Sequence, residues 1–122
     1  MSIIGVRVAQ SYLYDRLAAR RFRAETGGVT CNGCSIHTDR ESQAMISGAA
    51  LAAQQDPGMA VKWKCADGTF IDIDAAGIIS MASDVAAHIQ ACFAEEARIA
   101  ALIAAGILTS EAEIEAEWSY TG

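Results

Sequence analysis

Residues 27–45 read GGVTCNGCSIHTDRESQAM, and this stretch carries the strongest local signals of the chain. Asn32-Gly33 lies between two short β-prone runs, which predicts a hairpin because a type I′ turn needs positive φ at both central residues. Thr38 to Glu41 matches a capping box, in which a hydroxyl and a carboxylate satisfy each other's backbone amides at a helix start. The stretch therefore predicts a hairpin followed at once by a helix, which is an architecture and not an activity.

The composition limits the class of protein. The chain has 122 residues, of which 52% are hydrophobic, with a single proline and a net charge of −6. This length suits a single domain over residues 1–122. We find no signal-peptide pattern in residues 1–10 and no apolar run of the roughly 18–20 residues that span a bilayer, so we expect a soluble, intracellular protein with no membrane partner. The negative charge also disfavours nucleic acid as a partner.

The charges are unevenly distributed along the chain. Basic residues are concentrated in the first third, whereas the last third is acidic apart from Arg98. Solvated helix faces are the ordinary explanation, and attraction between opposite ends of neighbouring copies is the alternative. The basic and aromatic run at residues 20–23 lies near a predicted helix C-terminus, where the helix dipole favours cations, so we do not take it as a nucleic-acid site.

Helices are predicted on both sides of the opening stretch. Apolar spacings of three and four residues predict a helix from about Ala9 to Thr26, ended by two glycines. Residues 2–8 fit a short strand or a helix entry equally well. The helix opened by Thr38 should run to about Gln55, and Gly48 within it implies a close neighbour, because mid-helix glycine costs about 1 kcal/mol relative to alanine.

A second hairpin is predicted over residues 60–73. A two-residue turn would pair Trp63 with Asp72, whereas a three-residue loop with Gly68 as the bulge residue pairs Trp63 with Ile71. We favour the three-residue loop because it places the apolar side chains on one face and the charged ones on the other. We expect this hairpin to join the first one in a small antiparallel sheet.

The last long helix is predicted from Ala75 to Ala105, with Asp74 as its N-cap. Its apolar positions recur at spacings of four and three, which is a heptad-like seam. At 1.5 Å per residue this helix would be about 45 Å long, more than a domain of this size covers. Glu96 interrupts the seam, and its carboxylate would be costly to bury alone. Either Glu96 marks the point where the seam leaves the core, or an arginine from another copy pairs with it. We therefore expect a homo-oligomer, either a dimer or a trimer, with these interface residues: Ile78, Val85, Ile89, Cys92, Ile99 and Ile103.

The C-terminal region adds one short helix. Gly106 should end the long helix, and Ser110 to Glu113 matches another capping box, for an acidic helix over about 110–118. The predicted order is thus α-ββ-α-ββ-α-α. The fold class is α+β, with two β-hairpins forming a small antiparallel sheet packed against long helices.

Cysteine is the residue type that most invites a functional interpretation. Cys31 and Cys34 form a CxxC pair and, with Cys65, are weak metal candidates. A zinc site needs four ligands, but His37 should lie on the opposite face of the hairpin from the pair. We interpret the three cysteines as small core residues, with metal binding and a redox or disulfide role as alternatives. We assign no catalytic, cofactor or metal residue and do not expect an enzyme.

The motifs taken together resemble a known family over about residues 16–105. The chain is similar to a domain of unknown function that is widespread in tailed phages and prophages. That domain occurs at the C-terminal end of tail-fibre or tail-fibre-associated proteins, or as a small separate protein. Other residues commonly replace Cys31 and Cys34 there, which weakens zinc as a shared function. The resemblance rests on these segments: Arg20-Arg21-Phe22, Gly27-Gly28, Asn32-Gly33, residues 38–43, Trp63-Lys64, residues 66–68, residues 73–76 and residues 87–93.

The resemblance implies a phage context and no catalytic residue. We expect a non-enzymatic structural component or assembly factor associated with tail fibres, acting through contacts with itself and with a tail-fibre protein. Its location would be the host cytoplasm during assembly, with the virion tail as a second location. The alternative is a small acidic phage protein that binds and inhibits a host factor. That alternative predicts capture of a host enzyme, whereas a structural protein should self-associate or bind a fibre product.

Overall fold

A computed structural model of the chain describes the backbone of residues 3–121 and the side chains of residues 10–121. The elements follow the predicted order α-ββ-α-ββ-α-α, and the α+β class is confirmed. The short segment that fitted either a strand or a helix is helical from Ile3, and Ser2 lies outside the described residues. The elements are α1 (Ile3–Glu25), β1 (Val29–Cys31), β2 (Cys34–Ile36), α2 (Arg40–Gln55), β3 (Ala60–Lys64), β4 (Phe70–Asp74), α3 (Ala75–Ala104) and α4 (Glu111–Glu117).

Both hairpins have the predicted registers. In the first, Cys31 pairs with Cys34 across a two-residue turn in which Asn32 and Gly33 have φ of 51° and 79°. In the second, Trp63 pairs with Ile71 across the three-residue loop. The positive φ values at the first turn are those of a type I′ turn, which explains why Asn-Gly was a reliable signal there.

The two hairpins do not join into one sheet, which corrects the prediction. They form separate two-stranded antiparallel sheets, β1-β2 and β3-β4. The Ala66 amide donates to the Ser35 carbonyl at 2.6 Å, and a disulfide joins Cys34 to Cys65. Because both links lie at the loop end of the second hairpin, they hold the hairpins together at one point and not along the length of a strand.

The start of α2 also differs from the prediction. Asp39, and not Thr38, is the N-cap, and its carboxylate accepts from the Ser42 amide at 3.2 Å. Thr38 is buried, and its hydroxyl accepts from the Gly28 amide at 2.8 Å and donates to the Glu25 carbonyl at 2.7 Å. The hydroxyl that the capping box required is therefore occupied by the end of α1. The other predicted caps are confirmed, since Asp74 and Ser110 accept from the third amide of α3 and α4.

The chain divides into two compact units. Among the described residues, the helical unit contains residues 3–24 and 90–121, and the hairpin unit contains residues 25–89. The core of the helical unit is formed by Leu13, Leu17, Ile99, Ile103, Leu108, Ile114 and Trp118. The main core of the hairpin unit is formed by Cys31, Cys34, Ile36, Ile46, Cys65, Met81 and Val85. The helix α3 thus contributes its first part to one core and its last part to the other.

Two glycines lead to opposite stability predictions. A methyl group added at Gly48 would meet no atom within 4 Å, so the expectation of a close neighbour there is wrong. Gly48→Ala should therefore raise the free energy of unfolding by about 1 kcal/mol, through helix propensity alone. Gly68→Ala should lower it by about 1 kcal/mol or more, because Gly68 has a φ of +90°. Urea unfolding of both variants measures the two changes in the free energy of unfolding. Changes of the same sign in the two variants would contradict these predictions.

Candidate functional site

A carboxylate is buried at the end of α1. Glu25 is only 1% exposed, and Arg40 Nη2 donates to its Oε1 at 3.0 Å. Gln43 Nε2 donates to the other oxygen, Oε2, at 2.9 Å. A buried charge is costly unless it is paired and hydrogen-bonded, and Glu25 meets both conditions. The first turn of α2 therefore provides the groups that allow this carboxylate to stay inside the hairpin unit.

The backbone carbonyl of Glu25 extends this buried polar cluster. Thr38 donates to it, and His88 Nε2, in the middle of α3, lies 3.2 Å away. Gln43 Nε2 also contacts the Thr38 carbonyl oxygen at 2.8 Å. Among the described residues, every buried side-chain nitrogen or oxygen has a hydrogen-bond partner. Thr38, Gln43 and His88 therefore join α2 and α3 to the last residue of α1, Glu25, within the hairpin unit.

The three hairpin cysteines lie together, but not as the free core residues that we expected. Cys34 and Cys65 are joined by a disulfide with 5.5 Å between their Cα atoms, so the disulfide alternative is correct for this pair. Cys31 is free and buried beside them. The sequence placed all three on inward faces of their hairpins. It gave no means to choose a pairing, because four cysteines allow three connectivities.

The remaining thiol of this group is poorly suited to chemistry. Burial raises the pKa of the Cys31 thiol, and the carboxylate of Asp84 raises it further by charge repulsion and a hydrogen bond. The thiolate is the form that attacks substrates and binds metals, so a raised pKa keeps Cys31 unreactive near neutral pH.

The absence of a bound metal stays a prediction. No group of three or more potential ligands able to hold a metal occurs in the part of the chain that the structure describes. The disulfide also removes two of the three candidate thiolates. We expect protein purified without chelators to contain no stoichiometric zinc by elemental analysis. Zinc at one equivalent that disappears in Cys31→Ala would contradict this prediction.

The predicted oligomer interface is buried within single units of one chain. In the hairpin unit, Ile78 and Val85 are buried and Ile89 is partly buried. In the helical unit, Cys92, Ile99 and Ile103 are fully buried. The chain turns after Gly106, so that Leu108, Ile114 and Trp118 pack against Ile99 and Ile103. The seam therefore does not need a second copy to cover it, and the homo-oligomer stays a prediction that would need another surface.

The uneven charges pair within the chain. Glu96 accepts from Arg21 Nε at 3.0 Å, so its arginine comes from the same chain and not from a neighbouring copy. Other arginines of α1 meet the acidic residues of α4 in the same unit. The basic first third and the acidic last third are therefore largely the two sides of these intramolecular pairs: Arg16–Glu111, Arg20–Glu115, Arg23–Glu115 and Arg21–Glu96.

Glu95 gives the helical unit a defined pH dependence. Hydrogen bonds from Arg98, and then from Ser119, lower the pKa of this carboxyl from 4.5 to about 2. A lowered pKa stabilises the fold above the unfolded value, and this contribution is lost as pH falls from 4.5 towards 2. Glu95→Gln should cost only about 1 kcal/mol at pH 7, because solvent weakens a pair with the partly exposed Arg98. Urea unfolding at pH 7 and pH 3 should show a smaller pH effect in the variant than in the wild type.

One helix has the dimensions of a membrane span. By length and composition alone, α3 is long and apolar enough to cross a bilayer. This finding corrects the expectation that no stretch of the chain is long and apolar enough to do so. The core helix of a soluble protein passes the same test. Because α3 contributes buried residues to the core of each unit, this single helix is weak evidence for a membrane location.

An apolar groove opens on the hairpin unit between α2 and β3. Its volume is about 430 Å³, and its floor includes the buried Ile36 and Ile46. Met45 and Phe70 are 63% and 64% exposed at this groove, although both are large and apolar. We call this surface the α2–β3 groove, and it is lined by Ile36, His37, Ser42, Met45, Ile46, Lys62, Trp63, Lys64 and Phe70.

A second groove of about 560 Å³ lies along β4 in the same unit. It is lined by both members of the CxxC pair and by Asp72 and Asp74. Neither of the highly exposed apolar side chains of the α2–β3 groove borders it. The α2–β3 groove is therefore the stronger candidate for binding another protein.

The fold is α+β, with two hairpins that share no sheet and with the α2–β3 groove on the hairpin unit. The chain matches the family described as Domain of unknown function (DUF4376) over residues 8–119, and it belongs to that family. The match is longer than the region over which the motifs resembled a domain of unknown function. Neither the comparison with curated proteins nor the comparison with solved structures finds a match.

Proposed function

We propose that this chain is a non-enzymatic protein of tailed phages or prophages, acting as a tail-fibre-associated structural component or assembly factor. The phage context is supported by the resemblance of its motifs to tail-fibre-associated proteins. Action through protein contacts is supported by the α2–β3 groove, which is lined by two large, exposed apolar side chains, Met45 and Phe70. Large exposed apolar patches mark interaction sites on soluble proteins, and we propose this role for the groove.

The polar motif residues support contact and not catalysis. The Thr38, Arg40, Gln43 and His88 side chains all engage Glu25 inside the hairpin unit. A catalytic group must reach a substrate, and Glu25, Thr38 and His88 are buried. The exposed apolar groove is therefore the observation that carries the proposal.

Capture of a fibre protein tests the proposal directly. The chain is co-expressed with the tail-fibre product encoded beside it, and the complex is isolated through a tag on the fibre product. We expect capture of the wild type and at least a tenfold loss for Met45→Ser. Leu51→Ser is the matched control, because Leu51 lies on the same helix, is 57% exposed and does not line the groove. Equal capture of both variants would contradict a role for the groove.

Self-association is the second part of the proposal. Light scattering at several concentrations should show a dimer or trimer in addition to any fibre complex. A monomer at high concentration that captures a host enzyme and no fibre product would instead favour the inhibitor alternative.

A further inference from the structure

One edge of β3 is free along the α2–β3 groove. In an antiparallel pair, backbone groups point alternately towards the partner strand and away from it. The Cys65 amide donates to the Thr69 carbonyl at 2.7 Å, and the Ala75 amide donates to the Met59 carbonyl at 3.0 Å. In the odd-numbered residues from 59 to 65, the backbone N–H and C=O groups therefore point towards β4. The backbone N–H and C=O groups of Lys62 and Lys64 point away from β4.

The first hairpin covers only the end of this edge. The outward-pointing Ala66 amide donates to the Ser35 carbonyl, which closes the edge at that residue. Among the described residues, no backbone hydrogen bond outside the hairpin involves Lys62 or Lys64. The groove is lined by three consecutive residues of β3, Lys62, Trp63 and Lys64. Because successive side chains of a strand point to opposite faces, this lining indicates that the groove runs along the edge of β3. The groove thus contains an open row of strand donors and acceptors.

The charge of the groove indicates what it would accept. Lys62 is paired with Asp72 at 2.6 Å, whereas the Lys64 ammonium lies over the Phe70 ring, 5.9 Å from its centroid. Within residues 10–121, Lys64 is the only lysine or arginine whose side chain has no carboxylate within 4.0 Å. The basic side chains that have such a carboxylate are Arg16, Arg20, Arg21, Arg23, Arg40, Lys62 and Arg98.

We propose that the free edge of β3 binds an extended segment of a partner protein as an added strand. The segment alternates apolar residues, which cover Met45 and Trp63, with acidic residues, one of which meets Lys64. Main-chain hydrogen bonds supply affinity in this mode of recognition, and alternate side chains supply specificity. The inference rests on the proposed function for the existence of a protein partner, and it adds the chemistry of that partner.

A second copy of the chain fits this edge less well. Antiparallel pairing of β3 with itself would bring Lys62 and Lys64 of one copy opposite those of the other. Like charges directly opposite are destabilising, and edge lysines of this kind oppose self-pairing of strands. An acidic segment from a different protein would instead be attracted to Lys64, because its carboxylates carry the opposite charge.

Three synthetic peptides test the inference with the intact chain. The first alternates valine with glutamate over seven residues and has capped ends. The second carries lysine in place of glutamate, and the third is the first peptide with N-methyl groups on the amides that face β3. We expect the second and third peptides to bind at least tenfold more weakly than the first. The first should also slow hydrogen exchange of the Lys62 and Lys64 amides, which reports directly on the edge.

A charge reversal gives the matched protein variant. Lys64→Glu should reverse the preference, so that the lysine peptide binds more tightly than the glutamate peptide. Equal binding of all three peptides, or unchanged exchange of the two amides, would overturn the added strand. If the peptides behave as expected but the fibre product is not captured, the proposed function fails and the inference stands. If fibre capture depends on Met45 but no peptide binds, the inference alone fails.

Discussion

Replacing Cys34 and Cys65 together with alanine should lower the free energy of unfolding by about 3–4 kcal/mol. The bond joins residues separated by 31 positions and so restricts a long loop of the unfolded chain. It also holds together two hairpins that share no sheet. Urea unfolding without reductant measures the change, and addition of dithiothreitol to the wild type should reproduce most of it.

Cys31→Ala is the control for the cysteine variant. Cys31 is buried in the same cluster but forms no disulfide, so its loss should cost about 1 kcal/mol by removal of a small buried side chain. Dithiothreitol should not destabilise the double variant further. If reductant leaves the wild-type unfolding curve unchanged, the bond does not stabilise the fold.

The second large effect is expected at the buried carboxylate. Arg40→Gln should lower the free energy of unfolding by about 2–3 kcal/mol, because it removes the guanidinium that pairs with Glu25 while the carboxylate stays buried. The value is at the low end for a broken buried pair because Arg40 itself is 59% exposed, so water reaches that side.

Arg23→Gln provides the comparison for this prediction. This variant also removes a guanidinium from an ion pair, but Arg23 and its partner Glu115 are 66% and 57% exposed. Exposed pairs contribute little, so the change should stay below about 1 kcal/mol. Similar losses in the two variants would mean that the burial of Glu25 is not what makes its pair important.

Local signals predicted the secondary structure well. The Asn32-Gly33 turn and the bulge at Gly68 each depend on backbone preferences of a few adjacent residues, and alternation of apolar and charged residues settled the register of the second hairpin. The extent of α3 followed from apolar periodicity and the cap at Asp74. These features could be predicted because the residues that determine them are neighbours in sequence.

The errors arise where distant residues compete for the same atom or surface. Thr38 had the sequence of a helix cap, but Glu25 and Gly28 occupy its hydroxyl. Glu96 was expected to need an arginine from another copy, but Arg21 of the same chain pairs with it. Residues beyond Gly106 cover the last part of the α3 seam, and the homo-oligomer itself stays a prediction. Sequence patterns identify an apolar face without identifying what covers it. The α2–β3 groove was missed for the same reason, since α2 and β3 each looked ordinary in isolation.

The disulfide also has a consequence for when the hairpin unit becomes rigid. Glutathione and thioredoxin keep thiols reduced in most cytosols, so a newly made chain carries Cys34 and Cys65 as separate thiols there. A chain that is assembled in that compartment and then released into an oxidising medium forms the bond only after release. Before the bond forms, the Ala66–Ser35 hydrogen bond and side-chain packing join the two hairpins, and afterwards the link is covalent.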